Sequence, residues 1–261
     1  MTALLRPNPV RATLAKGGTA FGTMAFEFFT PGLPAVLARA GAEFVVLDME
    51  HSGIGIETVK SQIAASHGAG IVPMVRVPGS HYHLIAPMLD VGAMGIMVPM
   101  VETPDQARKI ASWCRYAPDG VRGLAFGVAH DDYGGGDFAV KMAEANERTL
   151  VIALIETATG ISHVEEIMAV PGIDVGWLGH YDLTATMGIP GQFDHPDFLA
   201  AVERLVAACR RYGKTPGFLA YTLPQAKDWL AKGFRCLCYG TDLSLMQGAL
   251  REGLAVLRGG G

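Results

Sequence analysis

Phe44-Val45-Val46-Leu47-Asp48-Met49-Glu50-His51 begins as a continuous apolar run and ends in two carboxylates and a histidine. An unbroken apolar run with adjacent β-branched residues marks a strand covered on both faces, as in a parallel sheet. The polar cluster then stands at the strand's C-terminal end, where α/β barrels carry their chemistry. An Asp or Glu in that place also serves as an ordinary helix cap. The cluster therefore gains weight only from what the other strands do.

Upstream, Thr19–Met24 reads as a strand and Pro9–Lys16 as a short helix in an N-terminal arm. Downstream, strands are expected at Ile71–Val77, Gly95–Pro99, Leu150–Glu156, Asp174–Gly179, Pro216–Ala220 and Phe234–Tyr239. Helical segments stand between them, from Ile56–His67 to a last helix at Leu243–Arg258. Eight strands alternating with helices predict a parallel sheet closed into a (β/α)8 TIM barrel. The rival, an open dinucleotide-binding sheet, lacks its GxGxxG after the first strand. No linker divides the chain, so residues 1–261 read as one domain. The rhythm breaks only at 116–138, a loop rich in Gly and Pro and long enough to carry function.

Half of the 261 residues are hydrophobic and 18% are charged, which supports a large core and excludes a disordered chain. A formal net charge of −4 without a basic stripe argues against nucleic-acid binding. No segment has the length of a membrane span or a secretory leader. Cys114, Cys209, Cys236 and Cys238 form no CxxC pattern and read as buried reduced thiols, which suits a cytoplasmic enzyme.

The strand ends supply a constellation. The second gives Asp48, Glu50 and His51, the third Arg76, the fifth Glu156, and Asp182 follows the sixth. A barrel gathers these at one face. Two carboxylates from separate strands suit a hard divalent cation that keeps positions for water and substrate. Arg76 supplies a fixed cation for developing negative charge, and His51 is of a residue type that can take and give protons. No lysine stands at these ends, which argues against a Schiff-base mechanism.

Seven motifs in order carry a family resemblance: Asp48-Met49-Glu50-His51, Val75-Arg76, Leu89-Asp90-Val91-Gly92, Val98-Pro99-Met100-Val101, Arg115 to Gly123, Ile155-Glu156-Thr157 and Gly179 to Thr184. Together they resemble the HpcH/HpaI aldolases, the metal-dependent class II pyruvate aldolases. The resemblance implies a barrel of the phosphoenolpyruvate/pyruvate type. It implies Mg²⁺, Mn²⁺ or Co²⁺, and reversible cleavage of a 4-hydroxy-2-oxo acid to pyruvate, or a related 2-oxo acid, and an aldehyde. Glu156 and Asp182 are then the expected metal ligands. His51 is the expected base, acting through a water on the metal, with Asp90 as its acidic partner. Arg76 is expected at the pyruvate oxygen, Asp48 and Glu50 in support, and the backbone from Gly179 through His180 and Tyr181 at the carboxylate.

Two positions depart from the family pattern. His180 stands where proline is usual, and Leu154 where glutamine is usual, two residues before Glu156. Both are expected to border the substrate pocket and bear on which 2-oxo acid is used. The long loop, with Arg122, Phe126, His130, Asp131 and Tyr133, is expected to cover the mouth and reach a neighbouring subunit, in a homo-oligomer such as a hexamer. The competing readings are a malyl- or citramalyl-thioester lyase, an oxaloacetate decarboxylase, and a non-catalytic binding barrel.

Overall fold

Eight parallel strands close into a barrel in chain order, with β8 pairing back to β1. They are β1 (Ala20–Ala25), β2 (Phe44–Asp48), β3 (Val72–Arg76), β4 (Gly95–Val98), β5 (Leu150–Ile155), β6 (Val175–Leu178), β7 (Thr215–Ala220) and β8 (Cys236–Thr241). This is the architecture expected from the sequence, with boundaries moved by one or two residues. The structure, a computed structural model, describes residues 3–259. Met1, Thr2, Gly260 and Gly261 lie outside the described residues.

The helices are α1 (Pro9–Ala15), α2 (Leu33–Arg39), α3 (Ile56–Ala69), α4 (Tyr82–Asp90), α5 (Pro104–Trp113), α6 (Phe138–Arg148), α7 (Ala158–Ser162), α8 (Val164–Met168), α9 (His180–Thr186), α10 (Pro196–Arg211), α11 (Leu223–Lys232) and α12 (Asp242–Leu257). Of these, α7 and α9 are short helices missed by hydrophobic period, since each is a single polar-tipped turn or two. Thr103, Thr157, Thr222 and Thr241 cap α5, α7, α11 and α12 by accepting a backbone N–H, the arrangement that starts a helix directly after a strand.

Alternation along each strand divides the core in two. Inward residues such as Phe44, Val46, Met74, Ile152, Trp177, Cys236 and Cys238 fill the barrel. Outward ones such as Val45, Leu47, Val75 and Phe218 pack under the helices. The one-residue spacing of Cys236 and Cys238 thus places both inside, as expected. All four cysteines are buried and unpaired, and burial pushes the Cys114 and Cys209 thiols up to about 12.

The barrel's N-terminal end is plugged. Val10 and Leu14 of α1 join the inner cluster, and Asn8 donates its side-chain amide to the carbonyls of Met94 and Arg148. The long loop belongs to this end. It follows α5, which runs back from the mouth, and Arg115 at its start reaches the Thr149 carbonyl and Asp174, just before β5 and β6. Tyr116, Phe126 and His130 cluster there, and Lys141 forms a buried pair with Asp131 at 2.6 Å. The loop therefore does not cover the mouth of its own chain. An α5 that descends beside β4 delivers the following segment to the base.

The last helix has no such seat. Leu245, Met246, Leu250, Leu254, Val256 and Leu257 of α12 are all exposed, Leu257 to 84%. Among the described residues no helix is long and apolar enough to cross a membrane.

Candidate active site

Register brings the first pair together. Asp48 ends β2 and Arg76 ends β3, and the two are Cα partners in the parallel ladder. Asp48 is fully buried and takes Arg76 in a fork, with Nε at 2.7 Å and Nη2 at 2.8 Å. A planar guanidinium matches a carboxylate in this bidentate way, and each partner removes the other's need for water. The same carboxylate accepts the backbone N–H groups of Glu50 and His51 at 3.0 and 3.2 Å. Asp48 is therefore a clamp that fixes both Arg76 and the turn bearing Glu50 and His51. Burial works against the Arg76 charge, but its bonds to Asp48 outweigh that and hold the guanidinium protonated.

Glu50 stands 3.3 Å from Arg76 Nη1 and 3.7 Å from His51 Nε2. Burial raises its carboxyl above the ordinary range, with Arg76 and His51 pulling the other way. Its Oε2 is buried without a hydrogen bond among the described residues, the ion contact to Arg76 being poorly aligned.

Glu156 directly follows β5. One oxygen accepts the Met100 N–H at 2.8 Å, and Met100 turns that N–H inward from a left-handed backbone, φ 55°. A non-glycine residue held there is strained, and such strain persists where neighbours over-determine it. The other oxygen lies against Gly179: a Cβ on that glycine would come within 2.6 Å of it. Glycine is thus required for the close approach of β6 to the carboxylate. Burial pushes Glu156 up to about 7, and the charges of Glu50 and Asp182 add to the effect against Met100 and Arg76. Asp182, exposed in the first turn of α9, completes the set.

These groups line one cavity of about 230 Å³ at the mouth, with His51, Arg76, Leu154, Glu156 and the stretch Gly179–Asp182 on its walls. Sequence reasoning passed over the remaining wall: Met24 and Phe26 at the end of β1, Met97, Trp177, and Leu219 and Tyr221 at the end of β7. Phe26 and Tyr221 each follow a strand directly. Their position at strand ends is the same as that of Glu156, and an uncharged side chain there carries no signal of its own in the sequence.

One expected placement changes. Asp90 ends α4, at the barrel base, and pairs with Arg122 at 2.6 Å, while the carboxylate beside His51 is Glu50. Five residues of β3 separate the two ends, roughly 16 Å at the strand rise, so Asp90 does not orient His51 within one chain. His180 lines the cavity, but its ring lies among Tyr181, Phe193 and Phe218, with centroids at 4.3, 5.1 and 4.8 Å. Burial alone pushes it down to about 4, and Nε2 has no partner among the described residues. It is a packed neutral ring away from the site's charges. Leu154 is where expected, an apolar inward residue on the cavity wall.

The donor set can be judged for a metal. Among the described residues no cluster of three or more His, Cys, Asp or Glu forms a closed cage. Three mutually repelling carboxylates, Glu50, Glu156 and Asp182, face one arginine already engaged by Asp48. Two hard oxygen donors and an excess of negative charge fit a Mg²⁺-like ion that retains water and takes substrate oxygens. They do not fit a thiolate or imidazole site.

Comparison with known proteins agrees with this layout. Residues 27–249 match the family model described as HpcH/HpaI aldolase/citrate lyase. The chain is 33% identical to a hydroxypyruvate/pyruvate aldolase of Roseovarius nubinhibens, over 96% of this chain and 97% of that one. It is 32% identical to a 5-keto-4-deoxy-D-glucarate aldolase of Klebsiella pneumoniae, over 94% and 95%. The solved HpcH/HpaI aldolase from Desulfitobacterium hafniense superposes with a TM-score of 0.91 at 26% identity, covering 95% of this chain and 96% of that one.

Proposed function

The chain belongs to the HpcH/HpaI aldolase/citrate lyase family, and from that membership we propose that this mouth is the active site of a metal-dependent class II aldolase. The reaction is reversible cleavage of a 4-hydroxy-2-oxo acid to pyruvate, or a related 2-oxo acid, and an aldehyde. The observation that carries the reading is the juxtaposition of Glu156 and Asp182 with an arginine locked by Asp48.

Glu156 and Asp182 would hold the divalent cation, Mg²⁺, Mn²⁺ or Co²⁺. When bound it supplies Lewis acidity to the 2-oxo acid's carbonyl. Arg76 places a permanent positive charge where the keto oxygen becomes negative, and its fork to Asp48 means that no reorganisation is needed as charge develops. His51 takes the proton of the C4 hydroxyl in cleavage, and in the reverse direction a proton from C3 of pyruvate. Glu50 stands 3.7 Å from the His51 ring. Gly179 lets the backbone at the end of β6 lie directly against Glu156, and the backbone from Gly179 onward would hold the substrate carboxylate.

Asp90 retains its role only across a subunit boundary. Two surfaces favour self-association: the apolar face of α12, and a patch at the base with Val121, Leu124, Tyr133 and Phe138 exposed. A second copy covering α12 would supply the burial that this chain alone does not, in a homo-oligomer such as a hexamer with sites completed by neighbours.

The test is exchange of pyruvate methyl protons in D₂O on metal-stripped protein, with and without Mg²⁺ or Mn²⁺. The expected result is metal-dependent exchange that Glu156→Gln abolishes. Absence of exchange in folded, metal-loaded protein, with pyruvate and with substituted 2-oxo acids alike, overturns the reading and leaves a thioester lyase or a binding barrel.

A further inference from the structure

The mouth is chemically divided. In a closed ring of eight strands, β1 lies opposite β5. Every charged wall residue comes from β2, β3, β5 or the start of α9, whereas the arc formed by the ends of β7 and β1 with Tyr181 presents only apolar or phenolic side chains. Its members are Phe26, Tyr221, Tyr181, Met24 and Leu219. Tyr181 and Tyr221 stand edge to face at 6.3 Å, and neither phenolic hydroxyl has a hydrogen-bond partner among the described residues.

The arc is built, not incidental. The N–H groups of Phe26, Glu27 and Phe28 all donate to the Asp242 carboxylate, at 3.0, 2.9 and 2.7 Å, so the turn bearing Phe26 is pinned. The Phe26 ring also lies under the Arg76 guanidinium, 5.5 Å from its centroid, which ties the wall to the catalytic cation. Arg76 is the sole lysine or arginine among the wall residues, and it is engaged by Asp48 and Glu50. A second anionic group on a substrate would meet no free cation from this chain, with Glu156 and Asp182 across the cavity and Glu50 beside Arg76.

We propose that the acceptor aldehyde carries an uncharged, aromatic or otherwise apolar tail seated on Phe26, Tyr181 and Tyr221. This rests on the aldolase reading. If the 2-oxo acid's oxygens face Glu156 and Arg76, the chain beyond C4 extends toward the opposite arc. Planar rings fit edge-to-face aromatic walls, and the free hydroxyls accommodate a neutral polar substituent. The same wall disfavours a distal carboxylate such as the one the Klebsiella relative's named substrate carries.

The experiment measures kcat/KM for pyruvate addition to three probes: 4-nitrobenzaldehyde, the similarly sized anion 4-carboxybenzaldehyde, and small hydrophilic glycolaldehyde. Pyruvate proton exchange is recorded on the same samples. The expected result is a preference of at least about tenfold for the nitro probe over the carboxylate, within the range a hydrophobic pocket supplies. Tyr221→Ala, or Phe26→Leu where the first variant misfolds, should lower the nitro-to-glycolaldehyde ratio several-fold. A change in ratio cancels the probes' intrinsic reactivities. Equal or better use of the carboxylate, or a ratio unmoved in both variants, overturns the proposal while exchange leaves the aldolase reading standing. Loss of exchange in the wild type removes both.

Discussion

The two ends of the barrel both bury ion pairs, and they use them in opposite ways. At the base, Lys141 and Asp131 meet at 2.6 Å, and Asp131 also accepts the N–H groups of Gly127 and Val128. Burial would raise Asp131, but Lys141 and these donors outweigh it and hold the carboxyl below its usual range. At the mouth, Asp48 and Arg76 are equally well matched, yet Glu50 and Glu156 beside them are pushed up. The Lys141–Asp131 pair at the base is satisfied by the chain itself. The mouth is left with excess negative charge, which a bound proton or an added cation relieves. That contrast separates a structural polar cluster from a catalytic one better than the residue types do.

The sharpest way to break it is Glu156→Gln, which keeps the shape and removes the charge. Metal-dependent pyruvate exchange should fall by at least about 10³-fold, since the proposed ligand of the activating cation is lost. Isothermal titration with Mn²⁺ should show the binding lost in parallel. Retained metal affinity would move the ligand role elsewhere.

Removing the cation at each end compares the two directly. Arg76→Met leaves Asp48 buried and unpaired, and Lys141→Met does the same to Asp131, so each should lose about 3–5 kcal/mol in urea unfolding. Only Arg76→Met should also lose turnover, by about 10²-fold or more at a temperature where both variants are folded. A comparable loss in Lys141→Met would tie the base to catalysis.

The shared-site reading makes a prediction of its own. His51→Ala and Asp90→Ala should each be nearly inactive, and co-refolding equal amounts should restore about a quarter of wild-type activity, the fraction of sites that draw both intact residues from different chains. No recovery in a mixed oligomer would place Asp90 outside the site.

The smallest effect is a drift of stability with pH. The Glu156 carboxyl titrates near 7 in the folded metal-free chain and near 4.5 unfolded, so the folded state binds more protons between those values. Stability from this group is greatest below about pH 4.5 and falls as pH rises through 7, by on the order of 3 kcal/mol in total. Glu156→Gln should flatten that part of the profile, and saturating Mg²⁺ should oppose the fall.

Much of this was legible in one dimension. The eight strands announce themselves because residues buried on both faces need no alternation, and Phe44–Leu47 and Leu150–Ile155 are unbroken apolar runs. Glu156 was found as a carboxylate at a strand end. Its partners, the Met100 N–H and the Cα of Gly179, could not be found that way, because they are backbone features created by tertiary approach. Sequence position alone marks His180 as a residue of the pocket border, and only the tertiary structure shows the three aromatic neighbours around its ring.

The sequence by itself determined the barrel, the order of its strands and the charged half of the mouth, since each follows from local pattern and from the rule that parallel strands end together. The tertiary structure alone decided which end of the barrel receives the 116–138 loop and Asp90, which side chains form the uncharged arc, and that α12 lies unburied. The apolar spacing of α12 is the same whether the helix covers its own barrel or awaits a second copy. Hydrophobic period encodes that a face must be buried and says nothing of what will bury it.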